Sequence, residues 1–349
     1  MSLERVLELF WHPVATRAEL AGAAPHPLAV TLLGRQLAVA AVDGGAGALA
    51  VVDRCPHRST RLSVGWVDDG AIRCAYHGWR WEPSGRCTDI PATPGVPIPS
   101  RACVQAFEAA VAHDLVWVRL DGSAGTTIPA HPASTDDRMK VVAGAPYTWP
   151  TSGPRRVENF VDLAHFAWVH DASLGRRDEP VPPVPEIRRE GGELRFAYDP
   201  PEMAIEDTAL FGHSEYRMPI PLTVSIDFWL DTGARRHLWM TASPVNGHSC
   251  RSFWTVSRDD DLDADDSVHL DFQQLVLDED ELVVCNQDPP ELPLEPGVEV
   301  SVRTDRVSVE YRRWLRQLAD AAEVGPDAVR ASLGLDVVAP VPDPVPEHA

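Results

Sequence analysis

The chain lacks several features that would each have pointed to a class of protein. It has no run of eighteen apolar residues, so a membrane-spanning helix is not expected. Its start, Met1-Ser-Leu-Glu-Arg5, carries no signal-peptide pattern. There is no Gly-x-Gly-x-x-Gly and no P-loop, so no nucleotide or flavin site is visible, and reducing electrons would have to come from another protein. No internal repeat is present. Basic residues are few: 31 Lys and Arg against 52 Asp and Glu give a net charge of −21, which makes nucleic acid and anionic membranes poor partners. Cysteine is sparse as well. Of the six, Cys87, Cys103, Cys250 and Cys285 are scattered without the spacing of a disulfide framework and read as free, mostly buried thiols.

What is present is an ordinary globular composition, 44% hydrophobic and 24% charged, over 349 residues, long enough for two domains. Within it stands Cys55-Pro-His57, then sixteen residues, then Cys74-Ala-Tyr-His77. Two cysteines and two histidines in that order can hold a two-iron, two-sulfur cluster, with Cys55 and Cys74 on one iron and His57 and His77 on the other. Replacing two thiolates by neutral imidazoles removes negative charge and raises the potential from about −400 mV to roughly −150 to +300 mV. A structural zinc site is the alternative, but zinc pairs usually run Cys-x2-4-Cys followed by His-x3-5-His, whereas here each cysteine has its own histidine on a separate loop. The words Cys55-Pro-His57-Arg-Ser59 and Cys74-Ala-Tyr-His77-Gly-Trp79 closely resemble the two loops of Rieske proteins. Neither loop has the extra cysteine that high-potential respiratory Rieske proteins join as a disulfide, which implies the oxygenase or ferredoxin type. A cytoplasmic location is expected, because the cluster needs reduced thiolates.

Glu4 to Phe10 reads as a short helix, and Phe10-Trp-His-Pro-Val14 resembles the opening of Rieske oxygenases. From Leu28 to Asp121 the pattern is all-β, with runs Leu37–Val42 and Leu49–Asp53 around the turn signal Asp43-Gly-Gly45. Val111–Val118 reads as the closing strand, with His113 a polar residue at its edge. Residues 1–125 are therefore assigned to an N-terminal helix and Rieske domain, and 126–149, rich in Gly, Pro, Ser and Thr, to a linker. A second domain, 150–335, opens with a helix, continues through strands such as Leu222–Trp229 and Arg251–Val256, and closes with helices. In the last of these Val307, Tyr311, Trp314, Leu315 and Leu318 share one face and are read as core. The proline-rich tail 336–349 is expected to be disordered. Asp259-Asp-Asp261 and Asp263-Ala-Asp-Asp266 read as a solvated loop before a helix, or as a docking patch for a basic redox partner.

The opening helix of the second domain carries Glu158-Asn159-Phe-Val-Asp162-Leu-Ala-His165-Phe-Ala-Trp-Val-His170. Asp162 and His165 are three apart and share a helix face. His165 and His170 are five apart, about 140° around an ideal helix, so they can meet one ion only if the helix is widened, as by a π-bulge, or broken between them. This Asn-x-x-Asp-x-x-His-x4-His spacing resembles the catalytic signature of Rieske non-haem iron oxygenases. The resemblance implies that His165 and His170 bind a mononuclear Fe(II) together with a distant carboxylate, a facial triad that leaves positions open for O2. That carboxylate is assigned to Asp280, in Leu277-Asp-Glu-Asp280-Glu281, with Asp278 and Asp288 as rivals; the family often has a Glu near the position of Cys285. The resemblance further implies a catalytic role for Asn159 and Asp162. Asp162 would bridge His165 to the cluster ligand His77 of a neighbouring subunit in a homotrimer.

The fold class expected is α+β, an all-β [2Fe-2S] domain followed by an antiparallel sheet with helices, helix-grip-like. The function implied is an oxygenase component that receives electrons from a separate reductase or ferredoxin, and from NAD(P)H only through it, to activate O2 at Fe(II). A small, aromatic or cyclic substrate is hydroxylated or oxidatively dealkylated. The compact second domain, about 200 residues, resembles the monooxygenase and demethylase type; a cis-dihydroxylating dioxygenase and a pure Rieske electron carrier are the alternatives. Phe160, Val161, Phe166, Met203 and Phe228 could line the pocket or belong to the core. Trp229, Trp239 and Trp254 could suit an aromatic ligand or be structural. Arg155 and Arg156 read as a solvated helix start, or as groups facing a substrate carboxylate.

Overall fold

The computed structural model describes residues 3–171, 173–190, 192–199 and 212–335. The tail 336–349 and Met203 lie outside the described residues. Seven α-helices are described: α1 (Leu3–Leu7), α2 (Arg17–Ala23), α3 (Gly153–Val161), α4 (Phe166–Val169), α5 (Ser267–Val284), α6 (Arg306–Val324) and α7 (Pro326–Ser332). Among the described residues no helix is long and apolar enough to cross a membrane.

The first half of the chain is two antiparallel sheets. One runs in the order His12–Thr16, Leu115–Arg119, Ala106–Ala112, Gly47–Val52, Arg35–Val42, Leu28–Leu32. Alternate residues Leu37 and Val39, with Ala50, Val116 and Val118 from neighbouring strands, point to one buried face, as the period-2 pattern of these strands requires. The other is a small sheet of Trp66–Asp68, Ala71–Arg73, Arg80–Trp81 and Cys87–Asp89. Val111–Val118 is not one strand. It spans a hairpin between Ala106–Ala112 and Leu115–Arg119, turned by His113 and Asp114, both at positive φ (54° and 56°). His113 thus sits at a turn tip, where its ring meets the Pro129 carbonyl at 3.2 Å.

The second half is an eight-stranded antiparallel sheet running Lys140–Ala143, Ser249–Arg258, Arg235–Asn246, Thr223–Trp229, Ser214–Ile220, Glu193–Tyr198, Ile187–Glu190, with Tyr147–Trp149 also paired to Ser249–Arg258. The segment 126–149, read as a linker, therefore holds two strands of this sheet. Turn-forming residues hid them, and two indoles fix the crossing: Trp239 Nε1 donates to Ala130 O at 3.2 Å and Trp254 Nε1 to Ala145 O at 3.1 Å. Both tryptophans are buried, and these bonds make them structural.

The N-terminal helix departs from its expected domain as well. Val6 and Leu7 of α1, and Leu9 and Phe10 just after it, are buried in one cluster with Tyr311, Trp314, Leu315 and Leu318 of α6, so this segment packs into the second domain's core. The acidic run 259–266 is held to the sheet: Asp266 meets Lys140 at 2.9 Å and Arg258 at 2.7 Å, and Asp260 pairs with Arg236.

Candidate active site

Two loops of the first half bring the predicted cluster residues together. In the first, Ser59 N donates to Cys55 O and Cys55 N to Thr60 O; in the second, Gly78 N donates to Cys74 O and Cys74 N to Trp79 O. Each loop thus closes on its own cysteine. Gly78 follows His77 at φ 72°, and a Cβ there would come within 3.1 Å of Pro91. Cys55 and Cys74 are buried, His57 is half-buried and His77 is exposed. The two imidazoles lie edge to face with centroids 4.5 Å apart, and Trp79 stacks on His57 at 4.4 Å. Burial pushes the Cys55 thiol up to about 11, and the adjacent Cys74 adds repulsion; backbone N–H groups of His57 and Arg58 act the other way. A cationic metal centre would supply the compensation that the Cys55 thiolate needs. His57 Nδ1 is buried without a protein partner, as a ligand atom would be.

Two residues that sequence reasoning missed hold these loops. Buried Asp53 accepts from Ser63 N and Oγ, each at 2.7 Å, across the end of the first loop. Arg73 Nη1 donates to Gly78 O and to Asp89, and its Nε donates to Asp68, all at 2.8 Å, anchoring the second loop.

The second site lies where α3 ends. The expected single helix is interrupted: α3 stops at Val161, Asp162 is extended (φ −77°, ψ 123°), and one turn, α4, follows from Phe166. Asp162 causes the break locally, because its Oδ1 accepts from Ala164 N at 2.9 Å and so competes with the helical ladder. There is no shared helix face for Asp162 and His165, and neither a π-bulge nor a break lies between the two histidines: the break falls at Asp162, before both, and His165 and His170 flank the single turn of α4. Gly175 closes against α4, where a Cβ would sit 2.4 Å from the Phe166 carbonyl.

His165 Nε2 and His170 Nε2 are 3.1 Å apart, and Asp280 Oδ1, from the inner face of α5, lies 3.4 Å and 3.3 Å from them. Among the described residues this is the group of His, Cys, Asp or Glu side chains that converges as an ion requires. Ligands about 2.1 Å from an ion and at right angles lie about 3.0 Å apart, so the three atoms match one face of an octahedron. Asp278 and Asp288 are exposed and outside this group. Burial alone would lower the His165 pKa, but Asp162 and Asp280 raise it to about 9. Burial alone would raise Asp280, but the two imidazoles and Arg156 hold it well below the usual carboxylate range. The pocket is thus built for a cation, whether proton or metal. Asp162 Oδ2 stands 3.6 Å from His165 Nδ1, an ion-pair distance without a hydrogen bond. Glu279, unforeseen from the sequence, accepts at 2.7 Å from His170 Nδ1 and at 3.1 Å from Ser173 Oγ, which leaves Nε2 of His170 as the free donor atom.

Asn159 Nδ2 donates to Asp280 Oδ1 at 3.0 Å. The arginines before it are not solvated: both are at most 2% exposed. Arg155 donates to Glu299 and to Pro289 O, each at 2.9 Å, and Arg156 donates to Tyr147 Oη at 2.9 Å and to Asn159 Oδ1. Of the suggested pocket residues, Val161 is fully buried core, Phe160 and Phe228 pack against that core, and Phe166 stands edge-on to His165 at 4.8 Å.

Comparison with known proteins agrees with both halves. Residues 10–104 match the Rieske [2Fe-2S] domain and residues 149–321 the vanillate O-demethylase oxygenase C-terminal domain. Over 333 residues the chain is 39% identical to methylxanthine N1-demethylase NdmA of Pseudomonas putida, covering 94% of this chain and 93% of that protein. It is 41% identical to methylxanthine N3-demethylase NdmB of the same organism, covering 95% of each. The solved structure of Pseudomonas putida CBB5 NdmA with caffeine superposes with a TM-score of 0.90 at 38% identity, covering 99% of this chain and 100% of that one.

A cluster domain joined to an oxygenase domain defines an enzyme that feeds electrons to its own oxygen-activating centre. The chain belongs to the Rieske non-haem iron oxygenases. It is a monooxygenase with a [2Fe-2S] cluster and a mononuclear iron, and it uses O2 to hydroxylate or oxidatively dealkylate a small cyclic substrate.

Proposed function

We propose that the enzyme removes an N-methyl group from a methylated xanthine-type heterocycle. The observation that carries this reading is identity of about two fifths, over nearly the whole chain, to two relatives named as methylxanthine N-demethylases. The balance is an N–CH3 group, O2, two electrons and two protons giving N–CH2OH and water. The carbinolamine then breaks its C–N bond to release N–H and formaldehyde. When bound, the cluster supplies single electrons and the mononuclear iron(II) the activation of O2.

In this reading Cys55 and Cys74 hold one cluster iron, His57 and His77 the other, and His165, His170 and Asp280 hold the mononuclear iron. Asn159 steadies Asp280, and Asp162 orients His165. The convergence of three ligand atoms and the buried, unpartnered His57 Nδ1 support these assignments. Phe166 offers an apolar wall beside His165 that keeps water from the reacting carbon. Asp162, 30% exposed at its side chain, bridges to His77 of a second subunit in a homotrimer. The exposure of His77 and Tyr76 and of Trp168 beside the iron site supports such a contact. A separate reductase or ferredoxin in the cytoplasm is the electron donor.

The test is turnover of caffeine, theophylline and theobromine with a surrogate reductase. Formaldehyde equal to O2 consumed, and a demethylated xanthine, are expected; oxygen uptake without formaldehyde overturns the reading.

A further inference from the structure

Arg156 is fully buried on α3, next to a site expected to hold a cation, where a second positive charge is unfavourable. Its surroundings are aromatic. The guanidinium lies 4.8 Å from the Trp149 ring centroid, 5.2 Å from Phe160 and 5.9 Å from Tyr147. One of its nitrogens, Nη2, is buried with no partner. An apolar side chain of similar length would fill this space without that unpaired donor, so packing does not explain the arginine.

Its hydrogen bonds do. Nε donates to Tyr147 Oη at 2.9 Å, which fixes the plane of the fork. Nη1 donates to Asn159 Oδ1. A guanidinium can only donate, so the Asn159 amide must turn its oxygen to Arg156 and its NH2 to Asp280, where Nδ2 reaches Oδ1 at 3.0 Å. The same Nη1 faces the other oxygen of that carboxylate, Oδ2, at 3.7 Å. The two oxygens of Asp280 are thereby made unequal: Oδ1 faces both histidines, and Oδ2 faces the arginine.

We infer that Arg156 is a positioning residue of the iron site, holding Asp280 through Asn159 and through its own approach to Oδ2 so that Oδ1 alone is presented to the metal. Keeping the carboxylate one-armed preserves an open position for O2. This rests on Asp280 being the third ligand.

The test compares Arg156→Met and Arg156→Lys with the parent as whole enzymes. The readouts are iron and acid-labile sulfide per chain, the spectrum of the ferrous nitric oxide adduct, whose high-spin signal is separate from that of the cluster, and the split of kcat from KM. Both variants are expected to keep the cluster and the mononuclear iron. Both should show a nitrosyl signal broadened into more than one component and lose about 10- to 100-fold in kcat/KM, carried by kcat. Lysine is expected not to rescue, because it keeps the charge and loses the fork. An unchanged single nitrosyl signal in Arg156→Met, or a parental signal restored by lysine, overturns the inference. Where Arg156→Met fails to fold, Arg156→Lys and Asn159→Ala carry the same comparison. Asp280→Ala separates the two levels: retention of the third iron there refutes the ligand assignment itself, whatever the Arg156 variants do.

Discussion

At the scale of the residue, the proposed ligands stand out in the chain and their supports do not. Cys55, His57, Cys74, His77, His165 and His170 stand in short motifs whose spacing is itself the chemistry. Glu279 and Arg156 carry no such mark. One is an acidic residue in an acidic stretch and the other half of an Arg-Arg pair; each takes its role from a partner far along the chain, and Arg156 also from its burial. Replacing Glu279 by Gln should leave His170 with a weaker, neutral partner and lower iron(II) affinity by about 10- to 100-fold; unchanged iron binding in an equilibrium titration would remove Glu279 from the account. Two other histidines contribute to the loss of stability in acid. Burial lowers His131 from 6.5 to about 3, with His237 and His113 adding to the effect, and burial lowers His12 to about 4, with the Leu7 carbonyl opposing. Below pH 6.5 the unfolded chain takes up protons that the folded chain refuses. Stability is therefore fully present above pH 6.5 and falls as the pH drops toward 4, by about 1.4 kcal/mol per pH unit for each histidine. His131→Gln should flatten that slope between pH 6.5 and 5 in urea titrations; an unaltered slope would show that His131 is not one of its sources.

At the scale of the element, the strands of the first half follow from alternation and turn signals, and the core face of α6 follows from its periodicity. The sequence leaves open whether the helix is widened or broken between His165 and His170; the break falls instead before both, after Val161. It is decided by a side-chain-to-backbone bond of Asp162 that periodicity does not register. Helices α3 and α6 are tied by a partly buried network: Arg312 pairs with Glu158 and with Glu299, which also receives Arg155. Burial pushes the Glu158 pKa up, while Arg312 and Arg155 oppose it, so losing the arginine would strand a carboxylate. Arg312→Ala should cost about 3–5 kcal/mol, seen as a clear fall in melting temperature; a loss within about 0.5 kcal/mol would mean the network is incidental.

At the scale of the whole molecule, the two-domain α+β plan follows from the sequence, and the seam between its halves does not. Residues 126–149 look like a linker because turn formers dominate their composition, yet they contribute two strands, and the indoles of Trp239 and Trp254 in the same sheet hold the carbonyls of Ala130 and Ala145 beside them. The first helix joins the second domain's core for a similar reason, since its apolar residues name a buried face without naming the partner. If the proposed homotrimer forms and electrons pass between its subunits, two inactive variants, His77→Ala without a working cluster and His165→Ala without the iron, should regain turnover when co-expressed as mixed oligomers. Failure of every mixture to exceed the parents would place the transfer within one chain.

The enzyme carries two separate metal centres on one chain. Iron and acid-labile sulfide, measured per chain on anaerobically purified protein incubated with iron(II) and desalted, test this most directly. Three irons and two sulfides are predicted. Two irons and two sulfides would mean that His165, His170 and Asp280 hold no metal, and would contradict the account.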